Sequence, residues 1–315
     1  MPQCYWLAAV RPHWTGSHSP GNSHTARPSY PVPACPGRRT SERTQMSAPA
    51  PRSFQTVAVD LDGSLAGTDH RLSPRAIRVL AALERQGTRP IIITGRTVAA
   101  ARAAWGEAGL SAPVISCNGA VIEDPTTGKR LAEHHLPPQV VADLLTLGEH
   151  TGLTVTLWTP ERMHAARRDA HIELLEDLND EQMVIGPLQE LTDEPVVKAM
   201  LAGPPEGLDA AAGKIVAAVP SMQRSLPTFF ETSPPGANKA GALLHVLEHL
   251  DVPPSTCLGV GDGDTDVEWL SMIAYPVAPA NARPAVRDIA AEIVGHHADD
   301  GVAIFLDRYF GLNAE

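Results

Sequence analysis

Long apolar runs are missing. No stretch of the 315-residue chain approaches the roughly 18 apolar residues that a membrane-spanning helix needs, so an integral membrane protein is excluded. Cysteine is scarce: Cys4, Cys35, Cys117 and Cys257 lie far apart and never in CxxC spacing. That pattern argues against a disulfide scaffold or a zinc site and fits a reducing cytoplasm. Positive charge is short in most of the chain. The net charge is −11, yet residues 1–53 hold six arginines against the single acid Glu42, so the remainder carries −11 − 5 = −16. An acidic body of this kind lacks the cations that general nucleic-acid binding requires. It suits a site that gathers carboxylates around a cation. No internal repeat is found. With about half its residues apolar once glycine is counted, the chain can bury a sizeable core, and its length corresponds to roughly two domains.

Residues 1–53 contain nine of the 29 prolines and show no apolar periodicity. Such a segment cannot offset its ordering entropy by burial, and it is expected to be a disordered extension or an upstream start that precedes a true one at Met46. A secretory signal fits poorly, because Tyr5–Val10 is short and no basic residue precedes it.

A regular pattern begins at Phe54. Thr56–Leu61, Arg89–Thr94 and Pro113–Ser116 are short β-branched runs that read as buried parallel strands. Between them, Ser73–Gln86 and Val98–Ala108 read as helices, the first with Ser73 as cap and Pro74 in the first turn. This alternation predicts a doubly wound α/β unit. The middle of the chain has mixed order and Pro-rich breaks, which predicts a separate α+β unit. After Asn238 the earlier rhythm returns, with a helix over Ala240–Leu250, a strand over Thr256–Val260 and a helix over Asp266–Ile273. The expected division is a core of residues 54–126 and 228–315, with residues 127–227 inserted as a cap.

Four segments carry chemistry. Asp60-Leu61-Asp62-Gly63 places two carboxylates at the end of an apolar strand, where a doubly wound sheet binds ligands, and Gly63 can re-aim the second acid. Thr94-Gly95-Arg96 ends the next strand with a hydroxyl, a glycine and a guanidinium, groups suited to phosphoryl oxygens. Asp262, Asp264 and Asp266 form a hard, oxygen-rich patch suited to Mg²⁺. Lys239 stands at a helix N-terminus, an electrostatically unfavourable place for a cation, which points to a phosphate partner. His134-His135 and His296-His297 read as surface or loop residues, Trp158 and Trp269 as packing, and Cys117 and Cys257 as buried small hydrophobes.

In order and spacing these four segments resemble the haloacid dehalogenase superfamily of phosphohydrolases, over roughly Phe54 to Leu306. Ile115-Ser116-Cys117-Asn118-Gly119-Ala120 and Asp299-Asp300-Gly301-Val302-Ala303 resemble its Cof-type branch, which carries a large α/β cap between the second and third motifs. The resemblance implies a Mg²⁺-dependent phosphomonoesterase acting on a small phosphorylated metabolite. It implies Asp60 as nucleophile and Asp62 as general acid and base. Mg²⁺ would be held by Asp60, the backbone carbonyl of Asp62, Asp262 and Asp266. Phosphate or substrate would be bound by Thr94, Gly95, Arg96, Asn118, Lys239 and Asn281. Two departures bear on substrate class: Thr265 stands where Cof-type proteins carry Asn, as in trehalose-phosphate phosphatases, and Ser64 replaces the commoner Thr. A sugar phosphomutase and a non-catalytic phosphometabolite-binding protein are the alternatives.

Overall fold

The computed structural model describes residues 53–314, so the expectation for the N-terminal extension lies outside the described residues. In chain order the strands are β1 (Thr56–Asp60), β2 (Arg89–Ile93), β3 (Val114–Ser116), β4 (Val121–Asp124), β5 (Lys129–Glu133), β6 (Thr154–Trp158) and β7 (Met163–Ala165). They continue as β8 (Val184–Ile185), β9 (Lys198–Ala202), β10 (Gln223–Leu226), β11 (Phe229–Thr232), β12 (Cys257–Val260), β13 (Tyr275–Pro279) and β14 (Glu292–Val294).

Eight strands form one sheet in the order β14-β13-β12-β1-β2-β3-β4-β5, parallel from β14 to β3 and antiparallel over the last two. The run of apolar residues in β1 and β2 follows from burial on both faces. Val57, Val59 and Ile92 pack on one side with Leu80, Leu83 and Leu306. Ala58, Ile91 and Ile93 pack on the other with Leu243, Val246 and Trp269. Successive side chains of a strand point to opposite faces, so one strand feeds two cores. The order reverses between β1 and β12, the place where sheets of this kind open a ligand crevice at their carboxyl ends.

The helices flank this sheet as their end signals require. Ser73 Oγ accepts from the Ala76 N–H at 3.0 Å to cap the helix Pro74–Arg85, and Thr97 Oγ1 caps Val98–Ala108. Asn238 Oδ1 accepts from the Gly241 N–H at 2.6 Å and starts the helix Lys239–His249. The predicted helix over Asp266–Ile273 is shorter, Val267–Leu270, because a tight turn over Asp264–Asp266 precedes it and places Asp266 beneath the backbone N–H groups of residues 262 and 263.

The second sheet has the order β10-β11-β9-β6-β7-β8 and is antiparallel except between β7 and β8. Helices Pro138–Thr151 and Pro205–Ala218 cover one face through Leu144, Leu147, Leu208 and Ile215. On the other face Trp158, Met163, Met200 and Phe229 pack with Val98, Cys117 and Val121 of the first unit. Sheet membership shifts the expected boundaries. β5 pairs with β4 and so belongs to the first sheet, although residue 127 was expected to open the insertion. β11 pairs with β9 and so belongs to the second, although residue 228 was expected to close it. Short strands of mixed polarity carry no periodic signal that says which neighbour they join. Among the described residues no helix is long and apolar enough to cross a membrane.

Candidate active site

The carboxyl ends of β2, β1 and β12 lie side by side, with Ile93 opposite Asp60 and Val59 opposite Val260. Chain segments leaving these ends therefore converge. Asp60, Asp262 and Asp266 each offer a carboxylate oxygen within 4.8 Å of the others. The Lys239 ammonium enters from its helix N-terminus and donates to Asp60 Oδ1 at 2.6 Å and to Asp266 Oδ1 at 2.8 Å. The position that is unfavourable for a cation along the helix axis is thus offset by two carboxylates. Asp266 is fixed further by the backbone N–H groups of Asp262 and Gly263 and by Trp269 Nε1.

Three carboxylates face one ammonium, and their protonation reflects it. Burial pushes Asp60 well above the usual carboxylate range; Lys239 opposes this, while Asp266 and Asp262 reinforce it. Burial and the neighbouring Asp266 likewise push Asp262 up to about 6. Asp266 is buried too, but the Lys239 ammonium holds it below its ordinary value. A hard, oxygen-only donor set with this excess of negative charge fits a divalent cation such as Mg²⁺. A measurable consequence concerns stability. A carboxyl whose pKa is raised by folding contributes stability below its unfolded value, near 4, and that contribution is lost as pH rises through about 6. The thermal midpoint gained on adding Mg²⁺ should therefore be several degrees at pH 7.5 and much smaller at pH 5; an equal gain at both would contradict the cluster's role.

Asp62 stands apart from this cluster. Arg96 Nε and an Arg96 terminal nitrogen donate to its two oxygens at 2.8 and 2.6 Å, and His70 Nδ1 lies 3.0 Å from Oδ1. Burial alone would raise Asp62, but Arg96 and then His70 reverse the effect and keep it ionised below its ordinary value. The same guanidinium also donates to the His70 carbonyl. Gly63, at φ +76°, turns the chain directly after Asp62, and Ser64 Oγ donates to Asp262 Oδ1 at 3.2 Å. A Cβ at position 63 would collide with the Asp262 carboxylate. Gly63→Ala should consequently cost about 2 kcal/mol or more in stability and displace Asp262, reducing metal affinity; denaturant midpoints and metal titration would show both.

Other expected residues take different positions. Thr94 is fully buried, and its Oγ1 accepts from the Arg96 N–H at 3.2 Å beneath the site. Gly95 lies against the Asn118 side chain, and both line the cavity. Arg96, expected to bind phosphate or substrate, lines it too, with its fork engaged by Asp62. Asn281, also expected to bind phosphate or substrate, donates through its amide to the Gly63 carbonyl at 2.7 Å and accepts from the His297 N–H, so it braces the first-motif turn. His297 completes that brace, with Nδ1 2.9 Å from the Ala66 carbonyl oxygen. Cys117 and Cys257 are buried, with thiols pushed up by burial to about 12 and about 11, and are inert.

Above these groups lies a cavity of about 930 Å³, closed on the far side by Trp158, Lys198, Met200, Phe229 and Glu231 of the second sheet. Sequence reading missed His70, Lys198 and Glu231. A His in a loop and charged residues within a short strand carry no motif by themselves.

A family model described as haloacid dehalogenase-like hydrolase matches residues 57–306. The chain is 27% identical over 263 residues to 5-amino-6-(5-phospho-D-ribitylamino)uracil phosphatase YitU of Bacillus subtilis, covering 81% of this chain and 97% of that one. It is 26% identical over 273 residues to HMP-PP phosphatase of Serratia proteamaculans, covering 81% and 95%. A solved haloacid dehalogenase-like hydrolase from Bacteroides thetaiotaomicron superposes with a TM-score of 0.75 at 24% identity, covering 81% and 99%. From strand-end acids to matched family, the chain belongs to the haloacid dehalogenase-like hydrolases, in their Cof-type phosphatase branch.

Proposed function

We propose that the protein hydrolyses the phosphomonoester of a small metabolite through an aspartyl-phosphate, with Mg²⁺ held by Asp60, Asp262, Asp266 and the Asp62 backbone carbonyl. The observation that carries this reading is the Asp60–Lys239–Asp266 arrangement at the floor of the cavity, with Asp262 beside it. When bound, the cation would offset phosphate charge and polarise a phosphoryl oxygen. Asp60 attacks phosphorus, forming its P–O bond as the ester P–O bond breaks, and Asp62 gives its proton to the departing oxygen. Asp62 then takes a proton from water, whose oxygen attacks phosphorus and releases phosphate and the free Asp60 carboxylate. Lys239 offsets the charge gathered on the transferring group.

The pairing of Asp62 with Arg96 suits the second half of this cycle, when a base is needed. The acid half requires Asp62 to leave the guanidinium and take up a proton. The second sheet's unit serves as the cap that encloses the leaving group. The relatives named above are phosphatases of a ribitylaminouracil phosphate and of HMP-PP, which supports a small phosphorylated metabolite as substrate. Buried free Cys117 and Cys257 accord with a cytoplasmic enzyme. Phosphate release from para-nitrophenyl phosphate and a panel of metabolite monoesters tests the reading. Activity should disappear with chelator and return with Mg²⁺; full activity in chelator would overturn it.

A further inference from the structure

The cavity wall supplied by the second sheet sets the apolar Trp158, Met200, Leu226 and Phe229 among polar side chains, and beside Trp158, Met200 and Phe229 it carries a largely buried ion pair. Lys198 of β9 places its ammonium 3.0 Å from Glu231 Oε2 of β11, and both line the cavity. The Lys198 side chain is only 8% exposed and the Glu231 side chain 22%. The ammonium also stands 4.5 Å above the Trp158 ring, whose residue is its direct partner across β6 and β9. Trp158, Met200 and Phe229 around the pair belong to one apolar cluster. Two charges taken out of water in such surroundings rarely stabilise a fold more than apolar side chains of equal volume would. Stability therefore does not account for the pair, and its position on the cavity wall does.

We infer that Lys198 and Glu231 recognise the leaving group, and that this group is an uncharged, polyhydroxylated sugar or polyol; the inference rests on the phosphatase reading above. An ammonium offers three donors and a carboxylate several acceptor sites, so the contact between them leaves both kinds free side by side. Neighbouring hydroxyls, which donate and accept at once, complement that arrangement. A second phosphate does not. The pair has no net charge, and Arg96, Lys239 and Arg224, which also line the cavity, are each already matched by carboxylates. Arg283 also lines the cavity but is exposed, where an ion pair is worth little. A nucleobase is disfavoured for a different reason. Base recognition by stacking needs an open aromatic face, whereas Trp158 and Phe229 are 1% and 0% exposed and Lys198 covers the Trp158 ring.

The test compares kcat/KM for ribitol phosphate, fructose bisphosphate, uridine monophosphate and para-nitrophenyl phosphate in the full chain with Mg²⁺. It uses the parent, Glu231→Gln and the double variant Lys198→Met/Glu231→Leu, whose apolar side chains preserve volume. The parent should prefer ribitol phosphate. In both variants its kcat/KM relative to para-nitrophenyl phosphate should fall at least about tenfold, the scale of a lost polar contact to a substrate hydroxyl. Unchanged selectivity in the double variant, or a parent preference for the bisphosphate or the nucleotide, would overturn the inference. Calorimetric titration of ribitol phosphate supplies a readout independent of turnover. If no ester is hydrolysed but ribitol phosphate binds the parent at least about tenfold more tightly than the double variant, the phosphatase reading fails while the recognition site stands. Equal binding by the two proteins would sink the recognition site whatever the turnover.

Discussion

Asp60→Asn should lower turnover by about 10⁴-fold or more while leaving the fold intact, since an amide cannot form an acyl phosphate and removing a nucleophile commonly costs that much. The substitution keeps the volume of a buried side chain and relieves one of three crowded carboxylates, so the thermal midpoint should hold or rise. Asp62→Asn separates the second role. It should slow phosphoryl transfer from alkyl phosphates about 10²–10⁴-fold, because a poor leaving group needs the proton. An activated aryl phosphate leaves without that help and should lose less in single-turnover phosphorylation, although hydrolysis of its intermediate still needs the base. Equal slowing of both ester classes would show that Asp62 is not the acid. Full turnover by Asp60→Asn would remove the nucleophile from its assigned place.

Lys239→Met should be the most destabilising single change at the site. The ammonium is buried between Asp60 and Asp266, and deleting one member of a buried pair typically costs about 3–5 kcal/mol because the partner charges are left unmatched. For a chain of this size the thermal midpoint should drop by roughly 10 °C. The sign of the pH dependence follows from the carboxyls that remain. Without Lys239 their folded pKa values rise, so the variant retains stability below the unfolded values and loses it as pH climbs through the folded ones. The deficit against the parent should thus be smallest in mild acid and grow toward neutral pH, and Mg²⁺ should recover part of it. Lys214→Met on the exposed surface is the control and should stay within about 0.5 kcal/mol. A Lys239→Met midpoint within a degree of the parent at pH 7.5 would contradict the buried arrangement.

The first sheet was legible because its central strands are buried on both sides, which leaves uninterrupted β-branched runs ending in acids. Ser73, Thr97 and Asn238 cap helices, roles that their residue types and positions favour. The hairpin β4–β5 and the strands β13 and β14 were missed, for they are short or partly exposed and lie at or near the sheet's edges. Within the site, Asp60, Lys239, Asp262 and Asp266 come together as their motifs suggested. The partners of Arg96 and Asn281 were not legible. Both are polar groups with several donors, and such a group binds whichever acceptor is nearest in space; here these are Asp62 and the Gly63 carbonyl.

What the sequence determined by itself is the set of acids and small residues at strand ends, since apolar runs and the turns that end them are encoded locally. Tertiary structure alone decided the partners. Lys239 meets Asp60 across 179 residues, Asn281 meets the Gly63 carbonyl across 218, and Lys198 meets Glu231 only because β9 and β11 are neighbours. Such pairings depend on strand order and on the desolvation that forces buried charges to find one another, and neither is written in the spacing of residues along the chain.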